Sequence, residues 1–123
     1  MGLMPSEVLE PVAAYFHALS EPTRLRILNL LCQGERNVGE LAEQCGYTTA
    51  NVSRHLSVLK KNGLVTREAR GNNVYYQIAD PSVNALCDLV CGSILRQLED
   101  GARQRAAFAS MREASNGLPP VTT

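Results

Sequence analysis

The sequence predicts a mainly α-helical α+β domain with one small β-hairpin, in the order α-α-α-α-β-β-α. Three observations predict it. Apolar residues recur at helical spacing in four successive stretches up to about residue 62. The period then changes to two over "LVTREAR" and "VYYQIAD", residues 64–70 and 74–80, where β-branched and aromatic residues alternate with polar ones. Helical spacing resumes after Pro81. At 123 residues the chain is long enough for one domain with a modest core, and pairing with a second copy would complete its burial.

The first helix is expected to open at Pro11, because a proline suits a first turn and breaks a helix interior. It runs through "VAAYFHAL" to about Leu19 and leaves residues 1–10 as a lead-in. Ser20 is the expected N-cap of the second helix, with Pro22 in its first turn. "RLRILNLLC" carries Leu25, Ile27, Leu28, Leu30 and Leu31, too dense an apolar run for a surface helix, so it belongs to the core. Gly34 ends it. "NVGELAEQCG" is a short helix with Val38, Leu41, Ala42 and Cys45 at helical spacing, stopped by Gly46. Thr48 or Thr49 caps "ANVSRHLSVLKKN", which points Val52, Leu56 and Leu59 inward and stops at Gly63. "GNN" supplies residues that tolerate positive φ, as a tight hairpin requires. Asp80 and Pro81 start the last helix, striped by Val83, Leu86, Val90, Ile94 and Leu98. The domain is expected over residues 11–112, with a disordered tail over 113–123.

Composition is that of a globular protein, 45% hydrophobic and 20% charged with zero net charge. No run approaches the ~18 apolar residues of a membrane span. The N-terminus has no basic patch followed by an apolar core, so a cytoplasmic location and no membrane partner are expected. Gly2 and Ser6 match a loose acylation pattern that is too short to carry an argument. Cys32, Cys45, Cys87 and Cys91 include no CxxC pair, which excludes a zinc ribbon and a thioredoxin-type motif; in a reducing compartment all four are thiols. No phosphate-binding glycine loop and no base paired with a nucleophile is present, so no enzyme and no required cofactor are expected.

Two helices joined by a turn at Gly46 and Tyr47, followed by a hairpin, spell a winged helix-turn-helix. In that arrangement the second helix enters the major groove of double-stranded DNA. Its N-terminal and outward positions are Thr48, Thr49, Asn51, Ser53, Arg54 and His55. Such side chains read base edges: Arg toward guanine, Asn toward adenine, Thr toward either or toward phosphate. From Thr48 to Arg70 the bases Arg54, Lys60, Lys61, Arg67 and Arg70 stand against Glu68 alone, a local excess of positive charge in a neutral chain. Lys60, Lys61, Arg67 and Arg70 are the expected phosphate contacts. Arg70, Asn72 and Asn73 at the hairpin tip would reach a flanking groove.

"ALSEPTRLRILNLL", "VGELAEQCGYTTANVSRHLSVLKKNGLV" and "GNNVYYQIAD" together resemble the ArsR/SmtB family of bacterial metal- and stress-responsive repressors. The likeness covers roughly residues 15–95. It implies a homodimer formed through the first and last helices, an operator with two-fold symmetry, and an inducer whose binding weakens the hold on DNA.

The inducer site does not follow from the family as a whole. One family site uses a Cys-Val-Cys-Asp-Leu motif, where this chain has Asn37, Val38, Gly39, Glu40 and Leu41, so that soft-metal site is not expected. Another uses histidines on the last helix, which here has none. Cys87 and Cys91 remain. At i and i+4 they share a helix face about 5–6 Å apart at Cβ, a spacing that suits a soft ion; As(III) is the expected inducer, with Cd(II) or Zn(II) as other thiophilic ions. As(III) prefers three thiolates, and the third is open between the partner subunit, an exogenous thiol, Cys32 and Cys45. Two further readings stand beside this one. The pair packs as small hydrophobes on a dimer-facing stripe, with no small-molecule inducer at all. Or it responds to oxidants or reactive sulfur species, through an intersubunit bridge rather than an 87–91 bridge that a regular helix disfavours. Cys32 and Cys45 are single and lie at helix ends within a core pattern, so both are expected to pack.

Overall fold

In the computed structural model, which describes residues 3–117, the order is α1 (Ser6–Leu19), α2 (Pro22–Gln33), β1 (Arg36–Asn37), α3 (Val38–Cys45), α4 (Thr49–Lys61), β2 (Val65–Arg70), β3 (Asn73–Ile78) and α5 (Pro81–Gly117). Gly2 of the acylation match and residues 118–123 of the expected tail lie outside the described residues. The chain divides after Asn84 into two units: the first holds α1 to β3 and the start of α5, the second the remainder of α5.

Helix α1 begins at Ser6, not at Pro11, so the expected lead-in is helical over half its length. Pro5 stands at its N-cap and Glu7 in its first turn, where the helix dipole favours an acid. Pro11 lies inside the helix and forfeits one i→i−4 hydrogen bond there. Ser20 closes α1 rather than opening α2. Its backbone N–H and its hydroxyl both donate to the His17 carbonyl, at 3.0 and 2.7 Å. The N-cap of α2 is Glu21, whose extended backbone lets its carboxylate accept from the Arg24 N–H at 3.0 Å. Pro22 takes the first turn, as expected.

Ile27, Leu28 and Leu31 of α2 are buried, whereas Leu25 is 44% exposed, so the apolar run exceeds the stripe that the core uses. Asn37 caps α3 through a reciprocal pair: its side chain accepts from Glu40 N–H at 2.8 Å, and the Glu40 carboxylate accepts from Asn37 N–H at 2.9 Å. The same Asn37 ends β1, which the sequence did not foretell. This two-residue strand pairs antiparallel with β3, so the hairpin becomes a three-stranded sheet in the order β1-β3-β2. The β2–β3 register runs from Val65↔Ile78 to Arg70↔Asn73 and leaves Gly71 and Asn72 as a two-residue turn, with Gly71 at φ 60°.

Val52, Leu56 and Leu59 of α4 are fully buried with Ile27, Leu41 and Leu64, and this is the core that seats α4. Val83 at the start of α5 is 2% exposed. Beyond Asn84 the helix stripe is open: Val90 is 52%, Ile94 47% and Leu98 61% exposed. α5 stays helical through Gly117, into the stretch expected to be a disordered tail. Among the described residues no helix is long and apolar enough to cross a membrane.

Candidate nucleic-acid interface

The turn between α3 and α4 is set by local chemistry. Gly46 adopts φ 73°, a left-handed conformation that ends α3, and Tyr47 N–H donates to the Ala42 carbonyl at 2.9 Å. The Arg26 guanidinium lies 6.0 Å from the centre of the Tyr47 ring. Thr48, not Thr49, then caps α4, its hydroxyl accepting from Asn51 N–H at 3.1 Å.

With its inner face buried, α4 presents Thr48, Thr49, Ser53, Arg54, Lys60 and Lys61 to solvent, and Asn51 is half-buried. Arg54 donates to the Asn51 side-chain oxygen at 2.7 Å, so these two base-reading candidates are held as a pair one turn apart. Asn72 and Asn73 are exposed at the hairpin tip, and Arg67 is exposed on β2.

His55 corrects the sequence reading. It was expected on the outward face with Arg54, yet it is 8% exposed and turned into the protein. Arg24 meets its Nδ1 at 3.3 Å, and a Glu21 carboxylate oxygen lies 3.9 Å away. Burial pushes its pKa below the ordinary 6.5; Glu21 opposes this, and Arg54 and Arg24 add to it. Burial thereby favours the neutral ring over the charged one. Because an arginine can only donate, Nδ1 is the accepting nitrogen. Arg24 also donates to the Ala18 carbonyl at 2.6 Å and the His17 carbonyl at 3.3 Å. One guanidinium thus joins the end of α1 to α4. No sequence pattern announced Arg24; the signal for His55 was its place between Val52 and Leu59 at steps of three and four.

Arg70, expected at DNA phosphates, is exposed and forks onto Glu35, one bond at 2.7 Å and another from Nη2. Glu68 lies 3.4 Å from the same nitrogen, and the guanidinium sits 4.6 Å over the Tyr75 ring. Hydrogen bonds from Arg70 hold the Glu35 carboxyl below its ordinary 4.5. Alternation along β2 puts Glu68 and Arg70 on one face of the sheet and Val65 and Arg67 on the other.

The cysteines divide as well. Cys45 is buried, as a packing residue should be, and burial pushes its thiol pKa up against the opposing charge of Arg26. Cys32 is exposed and so is not the core residue expected of it. In the second unit Cys87 is half-buried and Cys91 exposed. Among the described residues no three His, Cys, Asp or Glu side chains come together as a metal-ligand group.

The profile described as "Bacterial regulatory protein, arsR family" matches residues 21–67. The transcriptional regulator Rv0081 of Mycobacterium tuberculosis is 37% identical over 99 residues, 79% of this chain and 87% of that protein. Its crystal structure covers 81% of this chain and 99% of its own at TM-score 0.71 and 35% identity. The solution structure of a homodimeric winged helix-turn-helix DNA-binding domain, Mb0332 from Mycobacterium bovis, covers 76% of this chain and 90% of its own at TM-score 0.69 and 36% identity. The crystal structure of AntR, an antimony-specific transcriptional repressor, covers 80% of this chain and 90% of its own at TM-score 0.70 and 30% identity. The winged helix-turn-helix expected from the sequence is thus borne out, and these relatives are regulators of transcription, not enzymes.

Proposed function

The chain belongs to the ArsR family of bacterial transcriptional regulators, and from that premise we propose that it is a cytoplasmic homodimeric repressor which binds a two-fold symmetric operator and releases it when a thiophilic inducer occupies Cys87 and Cys91. One observation carries the DNA-binding half. α4 is two-sided, with Val52, Leu56 and Leu59 fully buried while Thr48, Thr49, Ser53 and Arg54 face solvent from a capped N-terminus. A helix so seated offers its outer N-terminal turns to a major groove. Arg54 and Asn51 read base edges there, Thr48, Thr49 and Ser53 bind bases or phosphate, and Lys60, Lys61 and Arg67 hold the backbone. Asn72 and Asn73 reach the flanking groove. His55 has no part in base reading, since its ring is used inside the protein.

The inducer is As(III) on this proposal. Cys87 and Cys91 stand one turn apart on α5, and the likeness to an antimony-specific repressor favours a trivalent thiophilic ion. Two thiolates in one chain are one short of what As(III) prefers, so the third comes from the partner subunit or a solution thiol. Cys45 is unsuited, being buried with a raised thiol pKa. A coupling of only ~1–3 kcal/mol between inducer and DNA suffices for release. Exposure of Cys91 favours a second reading, release by oxidants or reactive sulfur species.

The test is an anaerobic As(III) titration of the reduced protein on labelled DNA from upstream of its own gene, read by anisotropy. The parent should release DNA at about one ion per subunit, and the Cys87→Ser, Cys91→Ser variant should stay bound. Release of both proteins, or of neither, would remove the pair as the As(III) sensor. Release of the parent by polysulfide or peroxide alone would establish the second reading.

A further inference from the structure

Where the C-terminal end of α4 meets the sheet there is a cleft of about 260 Å³ lined by Ser57, Lys60, Lys61, Arg67 and Tyr76. Arg67 and Tyr76 are cross-strand partners in the β2–β3 register, so the cleft joins the recognition helix to the wing. We infer that it is a single phosphodiester-binding site, in which Lys60, Lys61, Arg67 and the Tyr76 hydroxyl converge on one phosphate of the DNA backbone. This rests on the DNA-binding reading above and adds Tyr76, and a shared target, to it.

Charge points to an anion. Three cations line the cleft and no carboxylate does. Among the described residues none of the three has an ion pair, whereas Arg70 on the other sheet face is paired with Glu35 and Glu68. Alternation explains the separation, since Glu68 and Arg67 point to opposite faces of β2. Three like charges around one cleft, with no acid to balance them, are relieved when an anion enters.

Size and lining point to a backbone phosphate rather than a small effector. Small-molecule pockets run from about 300 to 1,000 Å³ and are mostly apolar. This cleft is smaller and polar, with room for a phosphate and several waters at ~30 Å³ each. Its place on the helix agrees. Arg54, Ser57 and Lys61 follow one another at steps of three and four on the outer face of α4. Lys61 is therefore about 10 Å along the axis from Arg54. In a major groove about 12 Å wide, a helix that reads bases at Arg54 brings Lys61 to the groove wall, where the phosphates are. The Tyr76 hydroxyl supplies a neutral donor to the same group. The Ser57 hydroxyl donates to the Ser53 carbonyl at 3.0 Å, so Ser57 acts as a small wall residue and not as a donor.

The test uses the full chain and operator duplexes in which single phosphates are replaced by neutral methylphosphonate. Tyr76→Phe should weaken binding about 3- to 10-fold on operator and random duplex alike, as expected for one lost hydrogen bond. Its slope of log affinity against log salt should not change. Lys61→Ala should lower that slope by about one. At one phosphate per half-site, methylphosphonate should weaken the parent by more than it weakens either variant, because each variant has already lost part of what that phosphate binds. If the two losses map to different phosphates, or if Tyr76→Phe binds as the parent does while remaining folded by circular dichroism, the shared site is wrong and the DNA-binding reading survives. If the parent binds no duplex at all, both fall. Saturable binding of inorganic phosphate at the cleft, in competition with DNA of every sequence and untouched by methylphosphonate, would assign it to a free anion instead and overturn the inference.

Discussion

Helices α4 and α5 carry the same kind of apolar stripe and use it in opposite ways. In α4 the stripe is consumed within the chain: Val52, Leu56 and Leu59 are all 0% exposed. In α5 beyond Asn84 it is left over, with Val90 52%, Ile94 47% and Leu98 61% exposed. A long helix owes its stability in water mainly to the packing of such a face. A short helix with a satisfied inner face is a rigid reader; a long helix with an open face is a surface that asks for a second copy. The proposed division of labour, DNA on α4 and dimerisation and sensing on α5, follows from that contrast.

The strongest way to break the comparison is a pair of leucine truncations. Leu56→Ala should cost about 2–5 kcal/mol of unfolding free energy, because it opens a cavity in a closed core. Leu98→Ala should cost the isolated chain no more than about 0.5 kcal/mol, while raising the dimer dissociation constant in sedimentation equilibrium. Equal losses at high dilution would mean that α5 is packed within its own chain. Arg54→Ala comes next, at about 1–3 kcal/mol of operator affinity with relaxed choice at one base pair. If it bound operator and random DNA as the parent does, α4 would not be the reader.

Thr48→Ala tests how firmly α4 is anchored. Loss of the cap to Asn51 N–H should lower stability by about 1 kcal/mol in urea denaturation. A neutral result would show that the core alone sets the start of the helix.

Glu35→Gln should have the smallest effect, since Arg70 and Glu35 are 43% and 38% exposed and such pairs are weak. Its signature is in the pH dependence. The folded Glu35 pKa lies below its ordinary 4.5, so the pair stabilises the parent above pH 4.5 and that contribution fades as pH falls through the lowered value. Parent and variant should differ at pH 7 and converge in acid. A constant gap across this range would mean that Arg70 does not hold Glu35 in solution.

The parts of the fold that were legible in the sequence are those decided over a few residues. Gly46 ends α3 because its backbone is left-handed there, and Thr48 begins α4 because its hydroxyl meets an N–H three residues on. The two-residue turn at Gly71 and Asn72 is of the same kind. Misreadings came where residue type outweighed position. His55 falls on the buried stripe by spacing, but its polarity drew it to the DNA face. Ser20 is a cap by type, and it caps the helix before it rather than the one after.

By itself, then, the sequence determined the helix–turn–helix and hairpin, the outward placement of Arg54 and Lys61, and the spacing of Cys87 and Cys91, because each depends only on local backbone geometry and periodicity. The tertiary structure alone decided the rest. It turned His55 inward, where its Nδ1 meets Arg24, 31 residues away in the chain. It tied Arg70 to Glu35 across 35 residues. It added β1 as a third strand and brought Lys60, Lys61, Arg67 and Tyr76 around one cleft. These contacts join residues far apart in the chain, and no local pattern encodes which partners will meet once the core has closed.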